Sequence, residues 1–331
     1  MKGNKRITDL QGAKNGLLAN CHISWVQGGG RWMKRVVVAG LGDVGSTLLS
    51  GLVLLGREVI RNIGIYDVNV NLCQRLYLEL NQIVRPFEDA PFPPVYIAEE
   101  KKLFDCDVFI FCVAKSVPAV GSGVRDVRMA QFEANESIIS WYAKKAADEH
   151  FSGLFVVVSD PVERLCKAVL KSSGKGSHPL HPYQVTGCGL GVMNARAVFH
   201  ARQSREFEDY LISGRVFGAH GQELVVANDI TEIGYDDERS RKLTRLVLEA
   251  NQEIRKAGFK PYIAPALSSG AMAVLQILKG RWSFCSNYLG GVYFGGRSRT
   301  TSMGIAWEDA PLPEALFARL EESYQKMEEW G

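Results

Sequence analysis

The strongest constraint in this 331-residue chain is a glycine-spaced turn set between two kinds of hydrophobic pattern. Arg35-Val36-Val37-Val38-Ala39 is a short β-branched run, the pattern of a strand buried on both faces of a parallel sheet. It leads directly into Gly40-Leu41-Gly42-Asp43-Val44-Gly45, after which Leu48, Leu49, Leu52 and Leu55 recur at helical spacing. Gly40 permits a tight turn, Gly42 leaves room for a ligand against the backbone, and Gly45 lets the helix lie close to the strand. A helix that begins here directs free N–H groups at an anion such as a pyrophosphate. A second strand over residues 62–66 ends at Asp67, 22 residues after Gly45. A carboxylate there accepts hydrogen bonds from adenosine ribose hydroxyls and repels a 2′-phosphate. The spacing predicts a site for NAD rather than NADP.

Further β-rich runs at 108–113 and 154–158, with helical patterns between them, extend the alternation of strand and helix over residues 35–172. Such alternation predicts a doubly wound parallel sheet, the Rossmann architecture. Residues 171–182, rich in Ser, Gly and Pro, read as a surface crossover to a second half. That half shows a strand at 215–218, a helix at 237–258 stopping on Gly258, and a helix at 267–279. Short strands around 293–294 and 303–305 and an amphipathic helix at 313–328 complete it. The fold expected is α/β: a nucleotide-binding domain over 33–182 and an α+β substrate domain over 183–331. The first 32 residues have no apolar periodicity and are expected to be a disordered extension, or to precede a true start at Met33.

Composition excludes several classes. The net charge of +3 comes from the first 32 residues, which hold five basic groups and one acidic; the other 299 carry 34 basic and 35 acidic. The folded body therefore lacks the basic excess that would suggest nucleic acid or an anionic membrane. No apolar run reaches the length of a membrane span. The seven cysteines are scattered, none in a C-x-x-C pair, as expected of reduced core cysteines in a cytoplasmic protein.

Four ordered blocks resemble the lactate/malate dehydrogenase family. They are the glycine turn with Asp67; Val157-Val158-Ser159-Asp160-Pro161-Val162, similar to V-V-S-N-P-V-D; Gly187-Cys188-Gly189-Leu190-Gly191-Val192-Met193-Asn194-Ala195-Arg196, similar to G-S-G-T-x-L-D-x-x-R; and Gly218-Ala219-His220-Gly221, similar to G-E-H-G. Tyr262-Ile263-Ala264-Pro265 is similar to the entry into the long C-terminal helix of malate-type members. The resemblance implies an NAD-dependent oxidoreductase that interconverts a small 2-hydroxy acid and its 2-oxo acid, working as a homodimer or homotetramer. It implies His220 as the acid/base, Arg196 as the substrate-carboxylate clamp, and Arg128 as the group on a lid over 115–127 that polarises the carbonyl. Imidazole exchanges a proton near neutrality, and a guanidinium holds a carboxylate by two parallel hydrogen bonds. Arg125, three residues earlier on the same lid, is expected to take that role or to contact the substrate tail, and Lys260, beside the Tyr-Ile-Ala-Pro block, to meet a second anionic group of the substrate. Gly40, Gly42, Asp43, Val44, Gly45, Asp67, Val113, Ala114 and Asp160 are expected to line the cofactor.

Two positions depart from the family pattern. The carboxylate partner of the histidine falls on Met193, and the asparagine of the N-P pair has become Asp160. One carboxylate is lost and one gained, so Asp160 is expected to support His220 from the other side. Two alternatives stay open: Asp160 binds a cationic group on an imine or amino-substituted 2-oxo acid, or the site binds NAD without turnover.

Overall fold

The structure, a computed structural model, describes residues 5–14, 33–87, 91–115 and 127–330. Six parallel strands come first in space: β1 (Lys34–Ala39), β2 (Ile60–Tyr66), β3 (Val95–Ile97), β4 (Val108–Phe111), β5 (Leu154–Val157) and β6 (Val185–Gly187), in the order β3-β2-β1-β4-β5-β6. Helices α1 (Asp43–Leu55), α2 (Val70–Asn81), α3 (Val127–Asp148) and α4 (Val162–Ser173) connect them. The strand order reverses between β1 and β4, and ligands of such sheets bind where the chain leaves the carboxyl ends at that reversal.

The sheet does not stop at β6. Its edge pairs antiparallel with β9 (Ser283–Leu289), which continues through β10 (Val292–Thr301) to β7 (Arg215–Gly218) and β8 (Leu224–Ala227), with β11 (Gly304–Trp307) beside β10. The sixth parallel strand thus lies past residue 182, the edge expected for the nucleotide half. Helices α5 (Leu190–Gln203), α6 (Tyr210–Ser213), α7 (Asp237–Lys256), α8 (Ala273–Leu278) and α9 (Glu314–Glu328) cover the second half.

Two apolar layers sandwich the parallel strands. Val36, Val38, Ile63, Ile65, Ile110 and Val156 face α1 and α8, while Val37, Phe109, Phe111, Phe155 and Val157 face α3 and α4. Fully buried strands of this kind explain the unbroken hydrophobic runs in the sequence. The helix expected at 267–279 begins instead as π-helical turns over Pro265–Met272. These turns press on α1: a Cβ at Gly270 would lie 2.6 Å from Leu48, and one at Gly51 2.7 Å from Ala271.

Residues 5–14 are not a loose tail. Ile7 is 2% exposed and packs with Phe217, Ala219, Phe294, Leu316 and Leu320. Arg6 pairs with Asp309 at 2.8 Å, and the Leu312 N–H donates to the Lys5 carbonyl at 2.9 Å. The expected disordered extension does not describe this segment: an isoleucine at the right place gives it an apolar anchor that its overall polarity concealed.

Candidate active site

The glycine turn runs from β1 straight into α1, the strand–turn–helix order that the sequence predicts. Gly40 takes φ 89°, open to glycine at little cost, and a Cβ there would meet the Val113 backbone at 2.5 Å. A Cβ at Gly45 would stand 1.8 Å from the Gly40 carbonyl, so the close approach of helix to strand depends on its absence. At Gly42 the space a Cβ would fill is open, and this residue caps α1 without a side-chain hydrogen bond. Free helix N–H groups beside an open backbone fit a pyrophosphate. Asp67 accepts hydrogen bonds from the Leu41 N–H at 2.7 Å and the Asn69 N–H at 2.9 Å, fixing the carboxylate beside the loop. Val44 packs on the core, Val113 is half-buried next to Gly40, and Ala114 is exposed at the end of β4.

Beyond β5 and β7 the chain brings together two residues separated by 60 positions. His220 Nδ1 lies 2.8 Å from Asp160 Oδ1. The imidazole is 13% exposed and the carboxylate 45%, so the pair sits at the wall of the site with the acid towards the open side. Local packing holds it there. Asp160 precedes a cis peptide to Pro161, and the buried Asn135 donates to the Asp160 carbonyl at 3.1 Å while accepting from the Lys115 N–H at 2.9 Å. Asn135 thereby ties the end of β4 to the end of β5, a role the sequence did not reveal. Gly189 gives the ring its room, since a Cβ there would fall 2.8 Å from the His220 Cβ.

Met193 is 2% exposed and packs with Leu190, Ala197, Val216, Leu224 and Leu243. The position is apolar filling. One helical turn on, Arg196 donates to Asn251 Oδ1 at 2.5 Å and to the Val247 carbonyl at 3.5 Å, and its Nη1 lies 3.5 Å from Met193 Sδ. Burial lowers its guanidinium's pKa, and the Asp160 carboxylate acts to raise it, which places the two charges within electrostatic reach.

Lys260 is elsewhere. Its side chain is 83% exposed and its ammonium lies 3.7 Å from Asp43 Oδ2, at the mouth of the nucleotide loop. The polar segment after α7 carries it to α1. Arg128 falls in the first turn of α3, while its side chain and all of Arg125 lie outside the described residues.

No protein-family model matches the chain. It is 29% identical over 202 residues to an L-lactate dehydrogenase of Treponema denticola, covering 60% of this chain and 59% of that protein. It is 26% identical over 195 residues to a malate dehydrogenase of Sulfurimonas denitrificans, covering 58% and 56%. The matched region thus spans less than two thirds of either relative. Its fold extends the likeness: the minor L-lactate dehydrogenase of Enterococcus mundtii superposes with a TM-score of 0.71 at 19% identity, over 90% of this chain and 97% of that one. In sequence over part of its length, and in fold over most of it, the chain is similar to lactate and malate dehydrogenases. A second solved structure, the malate dehydrogenase of Archaeoglobus fulgidus in complex with NADH, gives a TM-score of 0.70 at 19% identity, over 89% and 97%. In this chain Asp160 reaches the His220 ring, while Met193 lies in the apolar cluster with Leu190, Ala197 and Leu243.

Among the described residues, all six cysteines are free and buried, as expected of core thiols, and no helix is long and apolar enough to cross a membrane.

Proposed function

We propose that the protein is an NAD-dependent dehydrogenase that interconverts a small 2-hydroxy acid and its 2-oxo acid. The observation that carries this reading is the 2.8 Å contact of His220 Nδ1 with Asp160 Oδ1 at the carboxyl end of the nucleotide-binding sheet. Gly40, Gly42, Gly45 and Asp67 would hold NAD, whose nicotinamide accepts or supplies a hydride when bound. His220 takes the hydroxyl proton in oxidation and returns it in reduction. Asp160 holds Nδ1 as the donor, so Nε2 exchanges the proton, and it stabilises the imidazolium that results. Arg196 binds the substrate carboxylate, which fixes the orientation of the reacting carbon. Arg128 polarises the carbonyl oxygen, and Arg125 meets the rest of the substrate.

A carboxylate at 160 answers the difficulty raised by Met193 and supports turnover over NAD binding alone. The exposure of Asp160 also favours a second reading, in which it recognises the nitrogen of an imine or amino-substituted 2-oxo acid. The deciding assay is NADH oxidation at 340 nm with plain, branched, aromatic and amino-substituted 2-oxo acids, with NADPH in parallel. Turnover that disappears in His220→Ala is expected. NADH binding without turnover on any substrate would overturn the dehydrogenase reading, and preference for amino-substituted substrates would select the second.

A further inference from the structure

One titratable group next to His220 has no part in that mechanism. Glu163 stands three residues after Asp160 in the first turn of α4 and is 4% exposed, the most buried carboxylate among the described residues. Its Oε1 accepts a hydrogen bond from the main-chain N–H of His220 at 3.1 Å and another from Ser286 Oγ at 2.7 Å. Groups facing it come from three elements: His220 after β7, Ser286 on β9, and the Cys166 thiol on the next turn of α4. The described charged groups near His220 include Asp160 at the ring and Glu163 at the main chain, with Asp160 in turn acting on Arg196. Burial raises the Glu163 pKa, and a positive His220 acts to lower it. That interaction runs both ways, because a charge that favours its neighbour's ionised form is favoured by it in return.

We propose that Glu163 is a positioning residue for His220. It pins the main chain of the histidine, and its carboxylate favours the imidazolium that forms when the ring takes up the proton. The proposal rests on His220 being the acid/base group. Together with Asp160 it assigns both carboxylates of the Asp-Pro-Val-Glu turn to one residue, one on the ring and one behind it. A carboxylate with a purely structural role would be replaced by an amide without consequence, since a glutamine oxygen still accepts from the His220 N–H and from Ser286.

Glu163→Gln in the full chain separates the two roles. The imidazole of His220, titrated by NMR without substrate, is expected to show its protonation midpoint about half a pH unit or more lower than in the unaltered protein. The corresponding limb of the kcat/KM profile should move the same way, with the KM for the 2-oxo acid changed less than about twofold. A folded variant whose midpoint stays in place would overturn the proposal. Should Glu163→Gln not fold, Glu163→Asp keeps the charge but draws it back by one methylene. It must lower the midpoint by a smaller amount, and a midpoint equal to that of the unaltered protein again overturns the proposal. Because the NMR titration needs no turnover, it stands or falls apart from the hydroxy-acid reading.

Discussion

At the scale of single residues, the proposed chemistry depends on which carboxylate reaches the imidazole. Asp160→Asn keeps the side chain's shape but removes the charge that steadies the imidazolium. Its kcat is expected to fall by about 10²-fold or more, within the range general acid–base help supplies, while NADH binding is unchanged. A profile and rate matching the unaltered protein would assign Asp160 another task. Met193→Asp is not expected to restore such a variant, because it places a charge in an apolar cluster 2% open to solvent. Glu163 carries a stability consequence of definite sign. Burial raises its carboxyl above the ordinary value of 4.5, so the folded state binds its proton more tightly than the unfolded chain does. Stability is therefore greatest below that value and falls as pH rises through the raised one. Thermal melts of Glu163→Gln should show a higher Tm than the unaltered protein at pH 8, with the difference shrinking towards pH 4. A lower Tm at pH 8 would mean that Ser286 and His220 depend on the charge for their packing. The sequence disclosed the exchange at 160 and 193 because a missing acid and a new one are both visible as letters. It could not disclose Asn135, whose role is a matter of where two loops end in space.

At the scale of elements, strands with uninterrupted apolar runs were legible and those with buried polar groups were not. β1, β2, β4 and β5 lie where their valines, isoleucines and phenylalanines put them. β9 reads Ser-Phe-Cys-Ser-Asn-Tyr-Leu and escaped notice, since Ser286 and Asn287 are buried yet satisfied. Asn287 Oδ1 accepts from Thr186 at 2.8 Å, and its Nδ2 donates to Ser298 at 2.8 Å, links that exist only once the strands pair. Outside the sheet's core, Glu308 joins β7 to β10: it receives two hydrogen bonds from Arg215, at 2.6 and 2.9 Å, and pairs with Arg297. Burial acts to raise its carboxyl, but the two arginines hold it below its ordinary value. Its contribution is present above the unfolded carboxyl's value and lost as pH falls through the lowered one. Glu308→Gln is expected to cost about 1.5–3 kcal/mol at pH 7, measured by urea unfolding, and progressively less at pH 3. An equal cost at both pH values would show that the charge plays no part.

At the scale of the whole molecule, one continuous sheet couples the nucleotide half to the half that carries His220, and the segment over residues 5–14 is fastened beneath the latter. Its polar composition hid this, because one buried isoleucine leaves no periodicity to read. Ile7 lies in the same apolar cluster as Phe217 and Ala219, the residues that lead β7 into His220. Burying one such side chain is worth about 1.5–3 kcal/mol. The Arg6–Asp309 pair, with both side chains nearly half-exposed, adds little. A chain shortened to begin at Met33 should therefore still fold, with its Tm lower by roughly 2–5 °C for a protein of this size. Ile7→Ala in the full chain should reproduce most of that loss. Because the gap opens under β7 rather than under the nucleotide loop, NADH affinity should change little while kcat declines. A shortened chain with an unchanged Tm would mean that the segment rests on the second half without stabilising it. A parallel loss of NADH binding would mean instead that its support reaches across the sheet to α1.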